Sequence, residues 1–254
     1  MTPRKQPRHL FFAVAIILIG FFVRGSAAQA GQVDYRLYAE LLKKHVKNGV
    51  VSYRGFKQDE ATFDRFLKVL ETTDLKILSK QEKFAFYINT YNAWTIKLVL
   101  TGYPGVRSIK DLGSLLQSPW KKKIVRVGGD VITLDNVEHD ILRPTYRDPR
   151  IHFAVNCASK SCPILISEPY LPETLDNQLD QSTIHFINDT SRNRLEGDTL
   201  YVSSIFKWYK EDFTDGIVPF FLKYAQGDLK TRLKASKTKV EIEYLDYDWS
   251  LNGQ

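Results

Sequence analysis

Both cysteines of the chain and one of its five histidines fall in a single stretch, Asp148-Pro149-Arg150-Ile151-His152-Phe153-Ala154-Val155-Asn156-Cys157-Ala158-Ser159-Lys160-Ser161-Cys162-Pro163. A thiol and an imidazole are the working pair of nucleophilic Cys–His chemistry. The imidazole takes the thiol proton, the thiolate attacks a carbonyl carbon, and a third polar group orients the imidazole. Cys157 and Cys162 are therefore candidate nucleophiles, with His152 and His139 as candidate bases. Glu138, Asn89 or Asn92 could supply the orienting group, and Asn89, Asn92, Asn156 and Ser159 are the polar side chains that could line a binding cleft.

The same residues also support readings without bond-breaking. Cys157 and Cys162 could form a disulfide closing a short loop, which contributes about 2 kcal/mol by chain entropy. The domain would then bind a peptide, a glycan or a partner protein. A redox-active pair is a further option. His139, His152, Cys157 and Cys162 include the usual zinc-ligand types, but the Cys-x₄-Cys spacing is not that of the common knuckle and no His-x₃₋₅-His pair accompanies it, so neither metal nor other cofactor is expected. Glu138 could be a helix-capping carboxylate, His139 a surface base beside Arg143, and His152 a hydrogen-bonded core histidine. Trp208, Tyr209 and Phe213, at helical spacing, read as core.

Several elements must position these groups. The clearest is a helix from Ser79 to Leu100: Ser79 can cap it, Glu82 completes a capping box, and apolar residues occupy most of its circumference, which places it at the centre of the fold. Asn89 and Asn92, three residues apart, share one face of it, and two amides in a buried helix need partners. Upstream, Val33 to Lys47 reads as a helix ended by Asn48-Gly49, followed by a short strand at 50–53 and a helix at 62–70. Downstream, Lys121 to Leu134 reads as a β-hairpin around Gly128-Gly129-Asp130. Asp135 is placed to cap a helix from Asn136 to Arg143. Ile151 to Cys157 reads as a strand, on which His152, Ala154 and Asn156 would share one face and Phe153, Val155 and Cys157 the other. A helix at 172–188, a second hairpin near 196–198, a helix at 204–213, a helical turn at 219–224 and a late strand at 240–245 follow. Helices and antiparallel hairpins are mixed rather than strictly alternating, which predicts an α+β single domain with a central buried helix and several short helices.

Four blocks of the sequence, taken together, resemble the DUF547 family. They are Phe84-Ala85-Phe86-Tyr87-Ile88-Asn89-Thr90-Tyr91-Asn92-Ala93, Leu134-Asp135-Asn136-Val137-Glu138-His139-Asp140-Ile141-Leu142-Arg143, the Asp148 to Pro163 stretch, and Phe206-Lys207-Trp208-Tyr209 with Asp212-Phe213. The resemblance is densest over residues 80–213 and implies a shared fold and a shared site. It implies no reaction, the family being uncharacterised. A polar pair in a central helix with a later His-bearing strand is also similar to papain-like and transglutaminase-like hydrolases, but those open their central helix with the nucleophilic Cys, and no Cys stands there in this chain.

Arg4, Lys5 and Arg8 precede an apolar run from Leu10 to Val23 and the small-residue stretch Gly25-Ser26-Ala27-Ala28-Gln29-Ala30. That order is the export-signal pattern, with cleavage expected after Ala30. The run is shorter than the roughly 20 residues that span a bilayer, so residues 1–30 read as a removable signal, with an uncleaved anchor as the alternative, and 31–254 as one domain without a permanent membrane span. Losing Arg4, Lys5, Arg8 and Arg24 would lower the formal charge from +7 to +3, and the remaining charges are interspersed, which argues against nucleic-acid binding. No glycine-rich phosphate loop joins a strand to a helix, so nucleotide binding has no support. The sequence thus predicts an exported, periplasmic or secreted domain. It reads first as a non-catalytic peptide-, glycan- or protein-binding module with a Cys157–Cys162 disulfide, and alternatively as a thiol-dependent hydrolase or acyltransferase.

Overall fold

Ser79 opens the element around which the rest is built. In the computed structural model, which describes Met1 and residues 33–114, 116–236 and 240–253, Ser79 Oγ accepts from the Glu82 amide and Glu82 Oε2 accepts from the Ser79 amide at 2.7 Å. Before the helix that this cap starts come α1 (Arg36–His45), a small hairpin of β1 (Val46–Lys47) and β2 (Val50–Val51), α2 (Tyr53–Gln58), α3 (Glu60–Thr72) and a 3₁₀ turn Leu75–Ile77. The central helix α4 (Lys80–Leu100) is buried around nearly its whole circumference from Phe84 onward, and only its first residues, Lys80 and Gln81, are exposed. Tyr38, Phe56, Phe63 and Phe66 pack beside it as a stack of rings, with Tyr38 and Phe66 at 4.5 Å.

After α4 come the hairpin β3 (Val125–Val127) and β4 (Asp130–Ile132), a π-helical segment Asn136–Leu142, α5 (Arg143–Tyr146), a 3₁₀ turn Pro149–Phe153 and α6 (Leu175–Ile187). β5 (Arg194–Glu196) and β6 (Thr199–Ser203) form a third hairpin. Then follow α7 (Ile205–Trp208), α8 (Ile217–Tyr224), α9 (Gly227–Ala235) and β7 (Glu241–Leu245), which joins β6 in parallel. A second core gathers Phe153, Phe186, Phe206, Phe213 and Phe221 beneath this sheet. The described residues from 33 onward form one compact α+β unit with three small sheets, as the mixture of helices and hairpins predicts. No helix among them is long and apolar enough to cross a membrane. The expected export segment lies outside the described residues.

Three local expectations are corrected. Residues 151–157 are not a strand: Asp148 Oδ1 accepts from the Arg150 amide and Pro149 sits at the first turn, so the chain coils into 3₁₀ geometry and the two-face alternation does not apply. Asp135 does not cap the next helix with its side chain. Thr133 and Asn136 bond each other instead, with Asn136 Oδ1 accepting from the Thr133 amide and hydroxyl. The region 204–213 divides into α7 and a 3₁₀ turn at Lys210–Asp212 rather than one helix.

Candidate functional site

The two helix amides determine where the cysteine loop lies. Asn92 Nδ2 donates to the Ala154 carbonyl at 2.9 Å while its Oδ1 accepts from the Asn156 amide at 2.8 Å. Asn89 makes the same two-sided bond to the Tyr170 backbone. Both amides are therefore spent on buried backbone, which pins the segments on either side of the cysteine loop to α4. Asn156 continues the work: its Nδ2 donates to the Pro163 carbonyl at 2.6 Å and its Oδ1 accepts from the Ala158 amide. Ala158 then takes a left-handed backbone (φ 64°), an uncommon conformation for a residue with a side chain and one that recurs at functional turns.

The chain's last described segment closes over this loop. Residues 248–252 bond it in succession: Asp248 with Ser161, Ser250 with Lys160, and Asn252 with Ala158. Asn252 also accepts from the Tyr53 hydroxyl at 2.7 Å. A side chain at Gly253 would meet the Val51 carbonyl oxygen at 1.7 Å, so only glycine lets the tail pack there. The result places Tyr247 beside Cys157, with Tyr247 OH 3.2 Å from Sγ and 3.0 Å from Ser159 Oγ, itself 3.1 Å from Sγ.

Cys157 and Cys162 are free thiols, which corrects the disulfide expectation. Cys162 Sγ is turned instead to the backbone, accepting from the Cys157 amide at 2.8 Å, with the Val155 carbonyl at 3.8 Å. The two sulfurs respond oppositely to the same burial. Burial pushes the Cys157 thiol up, but bonds from Cys162, Ser159, Tyr247 and the Ser159 amide bring it down to about 7. Burial, together with its bond to Cys157, pushes the Cys162 thiol well above the ordinary range. Cys157 is the sulfur that ionises, and Cys162 is one of its donors.

Cys157 faces a pocket of about 210 Å³ whose lining also includes Cys162, His152, His139 and Glu138, so every candidate catalytic residue of the sequence reaches one cavity. His152 is almost fully buried, and its Nε2 lies 2.6 Å from Asp212 Oδ2. Asp212 is held well below the usual carboxylate range by the bonds of His152 and Arg143, against the opposing effect of burial. It is therefore an acceptor, which puts a proton on Nε2 and leaves Nδ1 outside that bond. That nitrogen is buried and has no hydrogen-bond partner. The Tyr209 ring stacks on His152 at 3.9 Å, and its phenol is pushed up by burial and by the Glu138 carboxylate. His139 is exposed at the edge, with Nδ1 3.0 Å from Arg143. Asn89, Asn92, Asn156 and Ser159 stand behind the pocket and support its loop rather than lining it.

Asp212, Tyr209, Trp208, Tyr247, Trp249 and Asp135 complete the surroundings and were not singled out as site residues by the sequence. The clustering of Tyr244, Tyr247 and Trp249 near the end was the available signal. Trp208, expected in the core, is 45% exposed at the pocket mouth. A larger cleft of about 930 Å³ shares His139 with the pocket, but its Arg143 and Arg150 are each held by two or more carboxylates. Among the described residues, no three His, Cys, Asp or Glu side chains are grouped so as to hold a metal ion.

Fold and pocket together describe an α+β protein with one ionisable thiol in an aromatic pocket beside an Asp–His pair. Residues 75–187 match the family described as Protein of unknown function, DUF547, the family that the four sequence blocks resemble. No curated protein and no solved structure matches the chain. The matched segment holds Cys157, Cys162, His152, His139 and Glu138, whereas Asp212, Tyr209, Tyr247 and Trp249 lie beyond it.

Proposed function

We propose that the Cys157 pocket is the site of a thiol-dependent acyl transfer, either hydrolysis or passage to another acceptor. The observation that carries this reading is the set of donors around Cys157 Sγ, which lowers the thiol to about 7 in spite of burial. Structural cysteines in apolar surroundings shift the other way, as Cys162 does. In the step envisaged, His152 Nδ1 takes the Cys157 proton and the sulfur forms an S–C bond to the carbonyl carbon of an ester or amide. The carbon–oxygen or carbon–nitrogen bond breaks, and the leaving group takes a proton from protonated His152. Water or another acceptor then attacks the thioester, giving its proton back to His152 as the thiolate departs. Asp212 keeps the imidazole in the tautomer with Nδ1 free, the task of the third member in such sets.

The test is direct. Incubated with an activated ester, the domain should gain one acyl group on Cys157, seen by intact mass, and Cys157→Ser should gain none while Cys162→Ser still does. Iodoacetamide labelling of Cys157 should show a midpoint near pH 7. A midpoint near the ordinary thiol value of about 8.5, with no acyl adduct, would overturn the proposal.

The aromatic wall of the pocket favours a second reading, a cleft that binds a peptide, glycan or protein without bond-breaking. Trp208 and Trp249 stack at 5.6 Å at its mouth, as rings do that receive a ligand face. Absence of the adduct together with tight ligand binding would select it. We also propose export, on the pattern of residues 1–30, which a mature protein beginning at Gly31 would establish by mass.

A further inference from the structure

We infer that the pocket beside Cys157 receives a cationic amine, so that the molecule handled by the proposed thiol site carries an ammonium head. The inference rests on the acyl-transfer reading only for what is done to that molecule, and the binding claim stands apart from it. Six rings contribute to the lining: Tyr91, Trp120, Trp208, Tyr209, Tyr247 and Trp249. Among the ionisable groups there, the carboxylates of Asp135 and Glu138 and the thiolate of Cys157 are negative, and no Lys or Arg lines the pocket, in a chain with 36 of them. Both histidines of the lining are engaged with other groups, His152 Nε2 with Asp212 and His139 Nδ1 with Arg143.

An aromatic wall with buried carboxylates and no cation of its own is the environment that recognises ammonium groups. An anionic ligand would meet these like charges at close range. The chain's own cations already use the outer faces of these rings. Lys110 Nζ lies 3.8 Å from the Trp249 centroid, and the Arg143 guanidinium 5.1 Å from that of Tyr209. Arg143 is committed to Asp212 and Glu211, and Asp135 is a half-buried carboxyl that burial pushes upward, with His139 and Lys121 acting against that rise. A bound ammonium would supply Asp135 with a nearer counter-charge.

Titration of the full domain with n-butylammonium, at fixed ionic strength and followed by tryptophan fluorescence, tests this. Binding should saturate in the millimolar range and exceed that of uncharged n-butanol by about tenfold, the range of a partly desolvated cation–π site. Asp135→Asn, at a half-buried position that folding should tolerate, should weaken butylammonium by several-fold and leave butanol unchanged. Equal binding of the two probes, or a preference for a neutral sugar such as N-acetylglucosamine, would overturn the inference even if Cys157 ionises near pH 7. Ammonium binding with an ordinary, unreactive thiol would leave it standing and remove the acyl-transfer reading instead.

Discussion

Cys157 Sγ, Ser159 Oγ and Tyr247 OH form a closed triangle with edges of 3.0–3.2 Å. With the thiol neutral, three protons serve three edges. With the thiol ionised, the Ser159 and Tyr247 hydroxyls both point at sulfur, and the Cys162 thiol adds a third donor. Tyr247 remains a donor throughout because burial and the nearby sulfurs push its own ionisation far up. A hydrogen bond to a charged group contributes about 1.5–3 kcal/mol, and 1.36 kcal/mol is one pKa unit. Tyr247→Phe should therefore raise the midpoint of Cys157 alkylation by roughly one unit or more while leaving the fold intact, as pH-dependent labelling and circular dichroism would reveal. An unchanged midpoint would assign the lowering to Cys162, the Ser159 hydroxyl and the Ser159 amide.

At the scale of elements, one amide of α4 fixes the loop. Asn92 satisfies both the Ala154 carbonyl and the Asn156 amide in the buried interior. Asn92→Ala leaves each of them unpaired, at about 1–3 kcal/mol apiece. The domain should lose roughly 3 kcal/mol or more in urea unfolding, and the Cys157 thiol should lose its low midpoint in the fraction that remains folded. Asn92→Asp, which keeps the acceptor and loses the donor, should cost less than Asn92→Ala at low pH, where the introduced carboxyl can carry a proton. The sequence marked these two amides as needing partners. It could not say that both partners are backbone groups brought from 62 and 81 residues away.

Across the whole molecule, pH should bound stability from both sides. Asp212 is depressed in the folded state, so its contribution is present above the unfolded carboxylate value of about 4 and fades as pH falls through that range. Asp212→Asn should cost roughly 2 kcal/mol at pH 7, less than for a fully buried pair because Asp212 is 24% exposed, and the gap from the parent should close below about pH 4. Tyr38, Tyr53, Tyr91 and Tyr170 are raised by burial. Their contribution is present below the unfolded value of about 10 and is lost above it, so thermal melts should fall steeply beyond that pH. By itself the sequence determined the capped central helix, the two hairpins, the α+β class and the gathering of His152, Cys157 and Cys162, because capping boxes, glycine turns and periodic apolar residues act over a few positions. Tertiary structure alone decided that the two thiols stay apart with only one of them ionising, and that Asp212 and Tyr247 reach the site. Those outcomes depend on partners 60 and 90 residues distant, and no local pattern in the sequence encodes which buried donor will meet which sulfur or nitrogen.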